Sequence, residues 1–140
     1  MNDFENFASV VLGFHKDDAA FKKLLGHKAV KRPAFNFRGT TEAQRPFLKT
    51  AVAFEDLAVA AYKGQAPRLR SKPVLAAAVA IHSVEARHAA WMRFLFGVQP
   101  AVNAFDDASP KGEVQRVVAA TNFIAARPRT KMRRNPRFTG

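Results

Sequence analysis

Apolar residues along this chain recur every three or four positions in four stretches, the spacing of amphipathic helices. The first stretch runs from Asp3 to Leu25, with Phe4, Phe7, Val11, Phe14, Phe21 and Leu25 on one stripe and Gly26 at its end. That stripe breaks at Asp17 and Asp18, where another apolar residue is due. The pair reads as a solvated kink or as a local cap for "AAFKKLLG". The second stretch starts after Thr40 and Thr41, N-cap residue types with Glu42 in the first turn and Pro46 close behind, and ends at Gly64. Its inward face is Leu48, Ala51, Glu55, Ala58 and Tyr62. The third is capped by Ser71, carries Pro73 in its first turn and stops at Gly97. Its face is Ala78, Ile81, Glu85, His88, Met92 and Phe96. A short fourth stretch opens at Ser109-Pro110 and runs to about Ala125, with Val114, Val117, Val118 and Phe123 apolar.

Strand patterns are nearly absent, and there is no internal repeat. The connection "GHKAVKRPAFNFRGTT" is long, and its alternating Phe35 and Phe37 are expected to pin it to the body. The pattern predicts an all-α fold, a helical bundle of three long helices plus one short C-terminal helix. Residues 1–125 form the domain and 126–140 a basic tail.

Composition narrows the chemistry. With 140 residues and 48% apolar content, the chain suits one domain with a modest core. It has no cysteine, which removes disulfides, thiolate zinc sites and cysteine nucleophiles. No apolar run reaches the roughly 18 residues of a membrane span. "MNDFENFASVVLGFHK" places acids before its apolar residues, unlike a secretory signal or a mitochondrial presequence, so a cytoplasmic location is expected. The net charge is +12. Half of it lies in the tail, on Arg127, Arg129, Lys131, Arg133, Arg134 and Arg137, and a second cluster is Lys28, Lys31, Arg32 and Arg38. Such clusters suit a polyanion, whether nucleic acid, anionic lipid or an acidic protein face, although a solvated tail is equally consistent with them. One phenylalanine in the tail gives little basis for base stacking. No Gly-rich phosphate loop, Ser-His-Asp ordering or zinc-finger spacing is present.

The feature that demands explanation is a charge on an apolar face. Glu85 and His88, three apart, lie in line with Ala78, Ile81 and Met92, and Glu55 sits mid-face on the preceding helix. The short "QAPRLRSKP" turn makes the two helices antiparallel and brings Glu55 to within a turn of the height of Glu85. A glutamate facing Glu-x-x-His is half of a carboxylate-bridged two-metal site, in which carboxylates bridge and neutralise two cations and imidazole adds a terminal ligand. The metal-free alternative is a buried glutamate paired with His88 or Arg87. His82, three before Glu85, is either an added ligand or a surface histidine. Tyr62 is either a supporting donor or a core residue, Arg87 and Arg93 either support the carboxylates or are solvated, and Trp91 reads as packing.

"FLKTAVAFEDLAVAAYKGQAP", "LAAAVAIHSVEARHAAWMRFLFG" and "AFD" together resemble the ferritin-like-domain proteins of the group related to desiccation-associated proteins, which gives the chain a stress-related association. The resemblance is strongest from Phe47 to Asp107 and extends over "LGHKAVKRPAFNF", similar to that group's connection between helix pairs. It implies a ferritin-like four-helix bundle with Glu55, Glu85 and His88 at metal-ligand positions. It also implies a departure, because the family's first bundle helix and its glutamate have no counterpart here. Phe14 and Asp17 fall where a second Glu-x-x-His belongs, and His15 and Asp18, also three apart, are the substitutes on offer.

Two readings follow. A homodimer would pair two copies of the hairpin and supply two Glu and two Glu-x-x-His, enough for iron or manganese and for oxidase- or ferroxidase-like chemistry. The other is a degenerate, metal-free structural subunit of a larger assembly, whose basic tail binds nucleic acid or an acidic partner.

Overall fold

The computed structural model describes residues 22–23, 26–28 and 34–125. Of the stretch from Asp3 to Leu25, only Lys22 and Lys23 are described, and both are helical. Two long helices dominate the rest, α1 (Gln44–Gln65) and α2 (Lys72–Phe96), with a short α3 (Lys111–Ala120) after them. Single 3-10 turns lie at Gly26–Lys28 and Ala66–Arg68. The described part is mostly helical.

α1 and α2 form an antiparallel hairpin. Phe47 and Val52 from early α1 pack with Met92 and Phe96 from late α2 around Leu48 and Ala51. The Arg45 guanidinium lies over the Phe96 ring, 5.3 Å from its centroid. Met92 is the most buried large side chain, at 1% exposure, and burial of that kind contributes about 2 kcal/mol. The buried face of α1 is Leu48, Ala51, Glu55 and Val59, so it drifts to Val59 where Ala58 was expected. On α2 the buried positions are Ala78, Ile81, Glu85, Ala89 and Met92, with His88 and Phe96 half-buried beside them.

Several element ends differ from the sequence expectation. α1 starts at Gln44 with Ala43 as its N-cap and no side-chain cap, leaving Glu42 outside the first turn. Thr40 instead donates its hydroxyl to the Phe37 carbonyl in the preceding turn. Ser71 is the N-cap of α2 and Pro73 lies in its first turn, but the Ser71 side chain makes no cap hydrogen bond. Gly97 ends α2 in the left-handed conformation, with Val98 N–H donating back to Arg93 O, a Schellman closure. Gly64 lies inside the last turn of α1 and does not stop it. Its role is spatial, since a Cβ there would come within 2.1 Å of the Ser109 carbonyl oxygen. That close approach lets Ser109 N–H donate to Ala60 O, and Lys63 Nζ holds the Asp106 carbonyl. The linker after Gly97 is thereby laced to the end of α1.

α3 stops five residues before the expected Ala125. Asn122 takes a left-handed backbone, φ 54°, which breaks the helical period. The chain then turns back, and Phe123 stacks on Phe54 of α1 and meets Phe37 edge-on. Ile124–Ala125 (β2) pair antiparallel with Ala34–Phe35 (β1), a two-stranded ribbon that the helical reading did not include. Phe35 and Phe37 do anchor their loop, through each other and Phe123, yet remain about half exposed. Arg38, from the basic cluster, serves this junction by donating Nε–H to the Asn122 carbonyl.

Candidate metal centre

Three side chains converge at the middle of the α1–α2 hairpin. Glu55, Glu85 and His88 each offer a ligand atom, all within 4.8 Å of one another. His88 Nδ1 is 3.2 Å from Glu85 Oε2 and 3.9 Å from Glu55 Oε2. Both glutamates are 3% exposed. Leu48, Ala51 and Val59 fix the orientation of Glu55, and Ala78, Ile81 and Met92 that of Glu85, because each glutamate occupies a core position of its helix.

No arginine or lysine neutralises this pair among the described residues. Glu55 Oε2 is buried without a hydrogen-bond partner. The Glu55 carboxyl is pushed up from 4.5 to about 8, first by burial, then by a hydrogen bond shared with Glu85, then by the charges of Glu85 and Asp56. At neutral pH the free site therefore holds a proton where a cation would fit. An unpartnered buried oxygen between a second carboxylate and an imidazole is a donor set suited to a divalent metal ion.

The other sequence candidates lie elsewhere or beyond the described residues. His82 is outside the triad and faces the linker, with Nε2 3.9 Å from Asp106 Oδ2. Tyr62 is half-buried, two turns along α1. Arg87 is exposed, so it is not the cation that compensates Glu85; the metal-free pairing available to Glu85 is His88. Arg93 binds Asp56 through two hydrogen bonds, Nε to Oδ1 at 3.0 Å and Nη2 to Oδ2 at 2.6 Å, and this keeps the guanidinium protonated. His15 and Asp18, and the tail residues Arg127, Arg129, Lys131, Arg133, Arg134 and Arg137, lie outside the described residues.

Sequence reasoning missed Asp56. An acid one position off the buried face, on a helix hairpin whose other arm carries an arginine, was the available signal. The Asp56–Arg93 pair lines an open groove of about 500 Å³ between the two helices and the linker, floored by alanines and edged by Phe105, Asp106 and Asp107.

A family model described as a ferritin-like domain matches residues 15–98, more than half of the chain. The chain belongs to the ferritin-like domain family. The matched range contains the whole hairpin with Glu55, Glu85 and His88 and ends just after α2. No curated protein and no solved structure matches the chain. No described helix is long and apolar enough to cross a membrane.

Proposed function

We propose that this ferritin-like protein binds iron or manganese through Glu55, Glu85 and His88. The observation that carries the reading is Glu55 Oε2, buried and unpartnered beside Glu85 and His88. Three ligands are half of the usual two-metal set, two Glu plus two Glu-x-x-His. A second copy related by a two-fold axis supplies the other half, and His88, with 28% of its side chain exposed, marks the edge through which it reaches the site. When bound, the metal pair supplies redox chemistry toward Fe(II), oxygen or peroxide. The protein's own contribution is to exclude water from both carboxylates, to give up the Glu55 proton on metal entry, and to fix His88 against Glu85. This assignment goes with membership of the desiccation-associated group, with a domain over residues 1–125, a basic tail over 126–140 and a cytoplasmic location. Tyr62 supports the three ligands from two turns along α1, and His15 and Asp18 are supplementary donors.

A second reading has one observation in its favour. With its pKa raised to about 8, Glu55 keeps its proton at neutral pH and shares it with Glu85, so the core tolerates both acids without metal. The domain is then a structural subunit whose tail binds nucleic acid or an acidic partner.

Elemental analysis by inductively coupled plasma mass spectrometry, on protein whose mass is measured in the same sample, tests the first reading. About two ions per dimer are expected, with uptake lost in Glu85→Ala. Protein still empty after anaerobic iron and manganese are offered overturns the metal assignment and leaves the structural one.

A further inference from the structure

The outer side of α2 is unlike that of a solvated helix. Across Lys72–Phe96 the charges after Lys72 are Glu85, Arg87 and Arg93. Glu85 is buried and Arg93 is held by Asp56, which leaves Arg87 as the charge on the outer face. Around it Trp91 and Phe94 are 53% and 60% exposed, and their rings stack at 5.5 Å. Leu95 and Val79 are exposed as well.

These residues are ordered by size. Ala77, Ala80, Val84, Arg87, Trp91 and Phe94 follow alternating three- and four-residue steps, the spacing of a coiled-coil seam, with Ala80, Arg87, Trp91 and Phe94 exposed and Ala77 and Val84 half-buried along its edge. The N-terminal half of that seam is small and the C-terminal half is large. Antiparallel pairing with an identical helix sets Ala77 against the partner's Phe94, Ala80 against the partner's Trp91, and Val84 against the stem of the partner's Arg87. Every layer then joins one small and one large side chain, which is what close packing requires. Parallel pairing fails on two counts. It stacks Trp91 on Trp91 with voids beside the alanines, and it sets Arg87 against Arg87.

We propose that two copies of this chain associate back to back along α2, antiparallel, about a two-fold axis that passes between Glu85 and Ala86. The interface is isologous, so each copy offers its alanines to the other's aromatics. It is separate from any contact that completes the metal ligands, and it does not depend on metal.

The test uses the full chain in analytical ultracentrifugation and a cysteine cross-link. Trp91→Glu combined with Phe94→Glu changes exposed residues only, so helicity by circular dichroism is expected to be unchanged. The associated mass is expected to fall by half, with dissociation about 100-fold easier or more. Register is read separately, against the cysteine-free background. Ala80→Cys mixed with Trp91→Cys is expected to form a disulfide-linked pair. Either variant alone is expected to stay unlinked, because like positions lie about 16 Å apart along the axis. A wild-type chain that is monomeric at all concentrations, a mass unaffected by the two glutamates, or self-linking of Ala80→Cys alone would each overturn the seam. Glu85→Ala separates this proposal from the metal reading, since it is expected to remove metal and leave the seam intact.

Discussion

Glu55 and Asp56 are neighbours on one helix, and the fold treats them in opposite ways. Glu55 is 3% exposed, has an unpartnered oxygen and faces a second carboxylate. Asp56, one residue on, lies at the groove and is gripped by both arms of the Arg93 guanidinium. The contrast shows that a cation was within the fold's means. Arg93 stands two turns beyond Glu85 on the same helix, yet it serves the half-exposed acid and leaves the buried one alone. Burying a carboxylate beside another costs stability unless something compensates it. A site that keeps such an arrangement, with an imidazole at its edge, is organised for an incoming cation or a retained proton.

The largest expected effect breaks that contrast by removing the charge. The Glu55 carboxyl is neutral in the fold up to about pH 8, whereas in the unfolded chain it ionises near 4.5. Between those values the folded state holds more protons than the unfolded one, so stability falls as pH rises from about 4.5 to 8 and then levels. The full span is on the order of 5 kcal/mol. Glu55→Gln keeps the shape and a donor for Glu85 and cannot ionise. In metal-free protein its melting temperature is expected to match wild type near pH 4.5 and to exceed it at pH 9. Parallel melting curves across that range would show that Glu55 is not the strained group.

The sequence carried one side of this contrast better than the other. The antiparallel hairpin and the triad were legible because Glu55, Glu85 and His88 interrupt apolar faces, and periodicity alone says which way those faces point. Asp56 was not legible as a partner, because a half-exposed acid leaves no mark on the apolar pattern. The same limit hid the turn at Asn122. Val114, Val117, Val118 and Phe123 keep helical spacing, and only the packing of Phe123 on Phe54 and Phe37 decides that the helix ends first. By local rules Gly64 is a helix stop, because glycine commonly ends helices. Its reason is the Ser109 carbonyl, a contact 45 residues away that no local rule contains.

That contact gives the next test, which sharpens the contrast by disturbing one side alone. Gly64→Ala drives a methyl group into Ser109 O, and the opposing group is backbone with little room to give. The linker that edges the groove over Asp56 and Arg93 is expected to lift, at a cost of about 2 kcal/mol in denaturant unfolding. Hydrogen exchange at Ser109, whose N–H bonds to Ala60 O, is expected to quicken. Metal uptake at Glu55, Glu85 and His88 is expected to be unchanged, which separates the groove side of the hairpin from the site side.

The smallest effect comes from the acid that already has its partner. The Asp56 and Arg93 side chains are 35% and 26% exposed, so water screens their attraction, and the pair is worth about 1 kcal/mol despite its two-pronged geometry. Arg93→Ala is expected to cost that much, less at high salt, with Asp56→Ala costing a similar amount and the double variant little more than either. The decisive comparison is with Glu55. If the unpartnered acid is the functional one, Arg93→Ala leaves the fall in stability between pH 4.5 and 8 in place, because Arg93 does not compensate Glu55. A pH profile that steepened strongly in Arg93→Ala would mean that the guanidinium had been holding down the cost of the buried pair, and the two acids would then form one electrostatic unit instead of two.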